Sequence, residues 1–365
     1  MLETVLNSDD FPESNVTPLP DEMPGGRLRD SYGRAITDLR LSVTDRCNYR
    51  CVYCRNGEDG LHFQELTLDE YARILRIFVS LGVEKIRFTG GEPLLRGDLP
   101  GLIRYAAGLR SEFSGEQLDL ALTTNGHLLA PKVEELRDAG LGRITVSMDA
   151  MTPGTFERVT RVPGSFEKVL AGVRAARDAG FAVKVNCVLM RGFNDGEIEA
   201  FAEFSRAENV VVRFIEFMPL EEPVFGPHSP LEARTWTRES VIDLDEIVMR
   251  LNAVRPLVEL PPLHVSETAR RYTFEDGVGE IGIIAPVSQS FCGACSRVRV
   301  TSDGKIRTCL FSQTDHDLAG LMRRGTTDEE LRTTIRRIIS RKEARHHIGE
   351  PGFLKPSRSM VHIGG

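Results

Sequence analysis

The chain has 365 residues, 41% hydrophobic and 27% charged, with a formal net charge of −7. That is an ordinary globular composition, long enough for one large domain and a smaller appendage; the negative balance excludes nonspecific nucleic-acid binding over the whole surface, and no apolar run approaches the ~20 residues of a membrane-spanning helix. Seven cysteines are too sparse for a disulfide framework, and free thiols behind a start that lacks a signal-peptide pattern suit a reducing cytoplasm.

Residues 1–26, acidic and rich in proline and serine, read as a flexible leader. From Ala35 short apolar strands alternate with longer helical patterns, the signature of βα units around a parallel sheet. A first strand at 36–43 runs into Cys47-Asn48-Tyr49-Arg50-Cys51-Val52-Tyr53-Cys54, three cysteines at C-x3-C-x2-C spacing. A closed iron–sulfur cluster or structural zinc site takes four thiolates, so three leave a metal position open, as catalytic metals do. Zinc closed by His62 is the rival reading. Thr67-Leu68-Asp69-Glu70 is a capping box, and Leu68, Tyr71, Leu75, Phe78 and Val79 follow at helical spacing. Further strands are predicted at 83–88, 118–122, 143–148, 182–189 and 210–217, making six. The last of these ends in Glu216-Phe217-Met218-Pro219, and earlier ones in Thr89-Gly90-Gly91-Glu92-Pro93, Thr123-Thr124-Asn125-Gly126 and Ser147-Met148-Asp149.

Six units cannot complete an eight-stranded barrel. A partial, laterally open (βα)6 barrel of the TIM type is therefore expected, with a flat doubly wound sheet as the alternative, and both place ligands at the C-terminal strand ends. Glycines there let backbone approach a ligand, while hydroxyls and carboxylates offer directional hydrogen bonds. Arg40, Arg87 and Lys184 are cations inside apolar strands, where charge is costly unless an ion pair or a polyanionic ligand compensates it. Cys187, in the apolar strand Val183 to Leu189, reads as core packing.

Residues 219–234 are proline-rich and break the rhythm, which divides the chain into expected regions 27–235 and 236–365. A helix over 240–252, with Val241, Leu244, Ile247, Val248 and Leu251 on one side, is placed across the open edge of the barrel. Next come Cys292-Gly293-Ala294-Cys295 and Cys309. Asp303-Gly304 between apolar runs signals a two-residue hairpin; pairing Ser302 with Lys305 sets Val298 opposite Cys309 and returns that cysteine towards Cys295. A second trio with an open position results. Zinc closed by His316 is its rival, and one site shared by both trios stays open. Arg297 and Arg299 alternate along the strand and share a face beside this trio. The terminal Gly364-Gly365, without side chains, could thread a narrow channel to the site or form a tail without function.

The first trio, with Tyr53 just before its last cysteine, and Gly90-Gly91-Glu92-Pro93 resemble the radical S-adenosylmethionine superfamily. Membership implies that the free iron of a 4Fe–4S cluster chelates S-adenosylmethionine, whose reductive cleavage gives a 5′-deoxyadenosyl radical that abstracts hydrogen from the substrate. The second trio, preceded by Ser288-Gln289-Ser290-Phe291, together with the Gly-Gly terminus, narrows the resemblance over residues 27–365 to the GTP 3′,8-cyclase family, which begins molybdenum cofactor (molybdopterin) biosynthesis. By that resemblance Cys47, Cys51 and Cys54 hold one 4Fe–4S cluster and Cys292, Cys295 and Cys309 a second, carried by a C-terminal region that covers the open side of the barrel. Tyr53, Gly91, Ser147 and Met218 line the S-adenosylmethionine site. GTP is held by Arg40, Arg87, Thr123, Lys184, Arg297, Val298 and Arg299, with Arg297 and Arg299 near the chemistry. The implied reaction joins C3′ of the ribose to C8 of guanine in GTP. A flavodoxin- or ferredoxin-like reductant, no nucleic acid, no membrane and a homodimer or monomer complete the expectation. Arg55 and Asn56 stand where the family more often has methionine followed by proline. A different radical enzyme acting on peptides, or an electron-transfer or metal-binding module, is the alternative.

Overall fold

The computed structural model describes residues 26–54, 63–220, 236–356 and 358–364. The expected leader up to residue 25, most of the proline-rich connection, and Arg55, Asn56, His62 and Gly365 lie outside the described residues. Twelve strands form one sheet: β1 Asp38–Ser42, β2 Lys85–Thr89, β3 Asp119–Thr124, β4 Arg143–Ser147, β5 Ala182–Leu189, β6 Val211–Glu216, β7 Leu257–Leu260, β8 Arg270–Phe274, β9 Glu280–Ile284, β10 Arg297–Val300, β11 Lys305–Arg307 and β12 His316–Asp317. The helices are α1 Leu68–Ser80, α2 Leu99–Ala107, α3 Val133–Asp138, α4 Pro153–Thr160, α5 Phe166–Asp178, α6 Ile198–Glu208, α7 Leu244–Val254, α8 Leu318–Arg323, α9 Asp328–Ser340 and α10 Met360–Ile363.

The six predicted strands form within two residues of their expected limits, as β1 to β6, all parallel and in chain order. Their period-two pattern sorts the side chains. On β5, Val183, Val185, Cys187 and Leu189 are buried towards the helices, while Lys184, Asn186 and Val188 take the other face. Cys187 is therefore core, as its apolar neighbours implied. Helix α1 begins on the predicted capping box, Glu70 N–H donating to Thr67 Oγ1 at 3.2 Å and Thr67 N–H to the Glu70 carboxylate at 2.9 Å. It buries Tyr71, Ile74, Leu75 and Phe78, each worth about 1.5–3 kcal/mol of hydrophobic stabilisation.

The edges of this barrel differ from a simple covering. Strand β10 pairs parallel with β1 and β9 pairs parallel with β6, so eight parallel strands run in succession although the chain supplies only six βα units. β9 and β10 are not neighbours in the sheet, and the second cysteine pair lies on the segment joining them. Helix α7 starts at Leu244, later than expected, with Asp243 capping Glu246 N–H at 3.0 Å; it packs on α6 and β7 rather than across the gap.

The hairpin register is also corrected. Arg299 faces Arg307 and Val300 faces Ile306, so Val298 falls in line with Thr308, one residue short of Cys309. The turn holds three residues, 302–304, closed by Thr301 N–H to the Lys305 carbonyl at 2.9 Å. Gly304 at φ 78° takes the left-handed position that such a turn requires. Asp-Gly thus marked the turn but not its length. Among the described residues no helix is long and apolar enough to cross a membrane.

Candidate active site

Parallel register sets Arg40 directly between Arg299 on β10 and Arg87 on β2. Three guanidiniums therefore stand side by side, about 4.8 Å apart at the backbone, on the face that lines the barrel cavity. Like charges directly opposite each other are destabilising. Burial holds the Arg40 pKa well below its ordinary value, and Arg299 and Arg297 depress it further. Burial also lowers Arg299, to about 10, with Arg297 adding to the effect. Arg87 spends its hydrogen bonds on the Thr123 and Thr145 hydroxyls, both at 3.1 Å, and Arg40 Nε is buried with no partner. No carboxylate ion pair closes on this row among the described residues. Such a row can accept an anion.

The first trio follows β1 directly. Gly90-Gly91-Glu92 runs alongside it: Gly91 N–H donates to the Thr44 carbonyl and Glu92 N–H to that of Arg46, each at 2.8 Å. A Cβ on Gly90 would lie 2.5 Å from the Thr44 oxygen, so the close approach needs glycine. The Glu92 carboxylate is fully buried and accepts from Thr124 Oγ1 and Asn125 N–H at 2.7 Å each, and Leu94 N–H at 3.0 Å. Burial raises its pKa to about 7 against those bonds. Asp149 accepts from Tyr53 Oη–H and Val188 N–H, both at 2.8 Å, with its pKa raised by burial to about 6. The far side of the loop is tied to α4, Arg50 N–H to the Thr160 carbonyl and Val52 N–H to that of Val159.

The donor set fits an iron–sulfur cluster. All six cysteines of the two trios are half-buried and line one cavity. Tyr49 N–H approaches Cys47 Sγ at 3.4 Å. Burial holds the Cys51 thiol well above its ordinary pKa, and Asp149, Cys54 and Cys47 raise it further. Such sulfurs ionise together only when positive charge arrives, which a metal centre supplies. A single zinc draws its sulfurs within about 4 Å of one another. Among the described residues no three histidine, cysteine or acidic side chains converge closely enough for one ion. His316 sits on β12 opposite Ile306 and does not line the cavity.

The second trio lies on a 3-10 turn at 292–294 and beside the hairpin base. Its approach segment is held by Glu216 at the end of β6, whose carboxylate accepts from Val287 N–H at 2.8 Å, Ser288 N–H at 2.9 Å and the Ser288 hydroxyl. Arg297 lies 5.0 Å over the Phe291 ring. Burial raises the Cys295 thiol, but Arg297 and Lys342 overcome it and bring the pKa to about 7. The two trios thus face one cavity in different fields.

Of the residues expected to bind ligands, Tyr53, Gly91, Ser147, Met218, Arg40, Arg87, Thr123, Arg297 and Arg299 line this cavity. Lys184 shares the face of Asn186 but lies two residues nearer the N-terminal end of β5, below the lining; burial and then Arg213 lower its pKa to about 8. Val298 pairs with Leu39 and is wholly buried on the opposite face. Gly364 reaches the cavity rim: its carbonyl accepts from Arg299 Nη1, and a Cβ there would lie 2.7 Å from Thr89 Oγ1. The sequence reading passed over Arg213, whose Nε donates to Asn186 Oδ1 at 2.9 Å inside the cavity. Burial and Arg87 lower its pKa to about 9. The signal was present, a cation inside apolar Val-Val-Arg-Phe-Ile, as at Arg40 and Arg87.

A partial barrel with a three-cysteine loop at its mouth and a glycine-lined strand end beside it defines a radical S-adenosylmethionine enzyme, and the radical SAM superfamily model matches residues 41–205. The Molybdenum Cofactor Synthesis C model matches residues 210–348. The chain is 43% identical over 331 residues to GTP 3′,8-cyclase of Acidothermus cellulolyticus, covering 87% of each. It is 39% identical over 343 residues to that of Syntrophomonas wolfei, covering 93% of this chain and 100% of the other. The chain belongs to the GTP 3′,8-cyclase family. Among solved structures, Streptococcus suis SuiB bound to its precursor peptide SuiA shares the fold, with a TM-score of 0.56 at 15% identity over 84% of this chain and 68% of that one.

Proposed function

We propose that the protein converts GTP to (8S)-3′,8-cyclo-7,8-dihydroguanosine 5′-triphosphate, the first step of molybdenum cofactor biosynthesis, with 4Fe–4S clusters on both trios. Cys47, Cys51 and Cys54 would hold the first cluster, which with S-adenosylmethionine would supply the radical chemistry at C3′ of GTP, and Cys292, Cys295 and Cys309 would hold a second near the guanine base. Tyr53, Gly91, Ser147 and Met218 would hold S-adenosylmethionine against the first trio. The observation that carries the reading is the row Arg299, Arg40, Arg87, set side by side by the strand register on the wall of the cavity that both trios line. Triphosphate oxygens accepting from Arg40, Arg87 and Arg213, with Lys184 below and Thr123 beside them, would discharge the mutual repulsion of these cations. Arg297 and Arg299 would hold the nucleoside against the second trio, where the barrel wall excludes water and oxygen.

The reading supposes a cytoplasmic protein, division near residue 235, and a flavodoxin- or ferredoxin-like electron donor. Its test is anaerobic incubation with a reductant, S-adenosylmethionine and each nucleoside triphosphate in turn. Cyclised product and 5′-deoxyadenosine are expected with GTP; 5′-deoxyadenosine formed equally without GTP, or only with a peptide, would refute it.

A further inference from the structure

Helix α9 ends at Ser340, and the three residues 342–344 then line the same cavity as the second trio. Lys342 is 3% exposed and its ammonium donates to the Thr308 carbonyl, one residue before Cys309. The Glu343 carboxylate accepts from the Thr308 hydroxyl at 2.7 Å. Arg34, brought in by the segment ahead of β1, donates from Nη2 to the Glu343 carbonyl at 2.6 Å and from Nη1 to those of Ala344 at 2.9 Å and Cys292 at 2.8 Å. Asp30 fixes that guanidinium through Nε at 2.5 Å. Three segments far apart in sequence are thereby closed around the trio, mostly through bonds to backbone carbonyls.

Arg34 has Asp30 as its counter-ion. Lys342 has a neutral partner, and a buried ammonium with a carbonyl alone is costly unless negative charge lies near. The trio lies beside it: Lys342 lines the same cavity as Cys292, Cys295 and Cys309, and its partner carbonyl belongs to the residue next to Cys309. Three thiolates and the sulfides of a cluster would be the charge this ammonium is placed to meet.

We infer that Arg34 and Lys342 are positioning residues of the second trio, Arg34 fixing its Cys292 end and Lys342 placing an ammonium beside its sulfurs. This rests on the proposal that the trio carries a cluster. A fixed cation beside a cluster favours the reduced form, which carries one more negative charge. Lys342 therefore sets the second cluster's potential above the value it would have without that charge, while leaving the first cluster unaffected.

The test is a dithionite titration of anaerobically reconstituted full-length protein, following each cluster by its electron paramagnetic resonance signal, with Lys342→Gln, which keeps an N–H for the Thr308 carbonyl, and Lys342→Arg, which keeps the charge. In Lys342→Gln the reduced-to-oxidised ratio of the second cluster should fall about tenfold at fixed potential, about 59 mV for a one-electron couple, with the first cluster unmoved. Lys342→Arg should restore the wild-type value. Loss of the second cluster's iron in Lys342→Gln but not in Lys342→Arg would equally support the charge requirement. Equal potentials in all three proteins, or loss of iron in both variants, would overturn the inference while leaving the two-cluster reading intact. Only about four irons per wild-type chain would overturn both.

Discussion

The two cysteine trios face one cavity from opposite electrostatic surroundings. The first is cut from eight consecutive residues and is framed by buried carboxylates, Glu92 and Asp149, which hold the surrounding loops through hydrogen bonds from Thr124, Asn125, Tyr53 and Val188. The second is gathered from a turn and a hairpin, and the cations Arg34, Lys342 and Arg297 around it outnumber the carboxylates Asp30 and Glu343. Negative surroundings make a cluster harder to reduce and positive ones easier. On the proposed function, a centre that gives an electron away and a centre that grips an anionic nucleotide would call for opposite fields within the single cavity that both trios line.

The contrast is broken most severely by removing a ligand from either side. Cys51→Ser should abolish 5′-deoxyadenosine formation, whereas Cys295→Ser should leave the first cluster's signal and lose GTP-dependent product, both read by chromatography of anaerobic reactions. Next in size, Arg213→Ala removes a cation whose predicted partner is phosphate. A charged hydrogen bond is worth about 1.5–3 kcal/mol, so GTP should bind roughly tenfold to a hundredfold more weakly in equilibrium dialysis, with S-adenosylmethionine binding unchanged. Gly364→Ala forces a side chain against Thr89 and Ser42 at φ 78°. Activity should drop with little change in Tm.

The smallest effect concerns the carboxylates themselves. Folded Glu92 titrates near 7 and Asp149 near 6 because burial raises them. Raised carboxyl pKa values mean that the folded chain keeps protons that the unfolded chain has released. The resulting penalty is absent below about pH 4, grows as pH rises towards 7 and is full above that. These two groups should therefore lower the urea midpoint of cluster-free protein progressively between pH 5 and pH 8, and Asp149→Asn should flatten that fall.

Much of this was legible in the chain. The six βα strands, the capping box of α1, both trios and the cations of β1 and β2 follow from periodicity, turn chemistry and charge in apolar runs. What escaped depends on pairings between distant segments. Nothing local says that β10 will lie beside β1, yet that pairing sets Arg299 next to Arg40. The three-residue turn at 302–304 needed the actual register, since Asp-Gly serves two turn lengths. Arg34 and Lys342 look like ordinary charged residues in loops until the fold carries them to Cys292 and Thr308.

The account stands on one arrangement, two open-iron clusters sharing a cavity with a nucleotide between them. A crystal structure of the reconstituted protein with GTP, grown without air, tests it most directly. It should show three cysteines on each cluster, the triphosphate on Arg40, Arg87 and Arg213, and the guanine against the second cluster. A fourth protein ligand on either cluster, or GTP bound away from the arginine row, would contradict it.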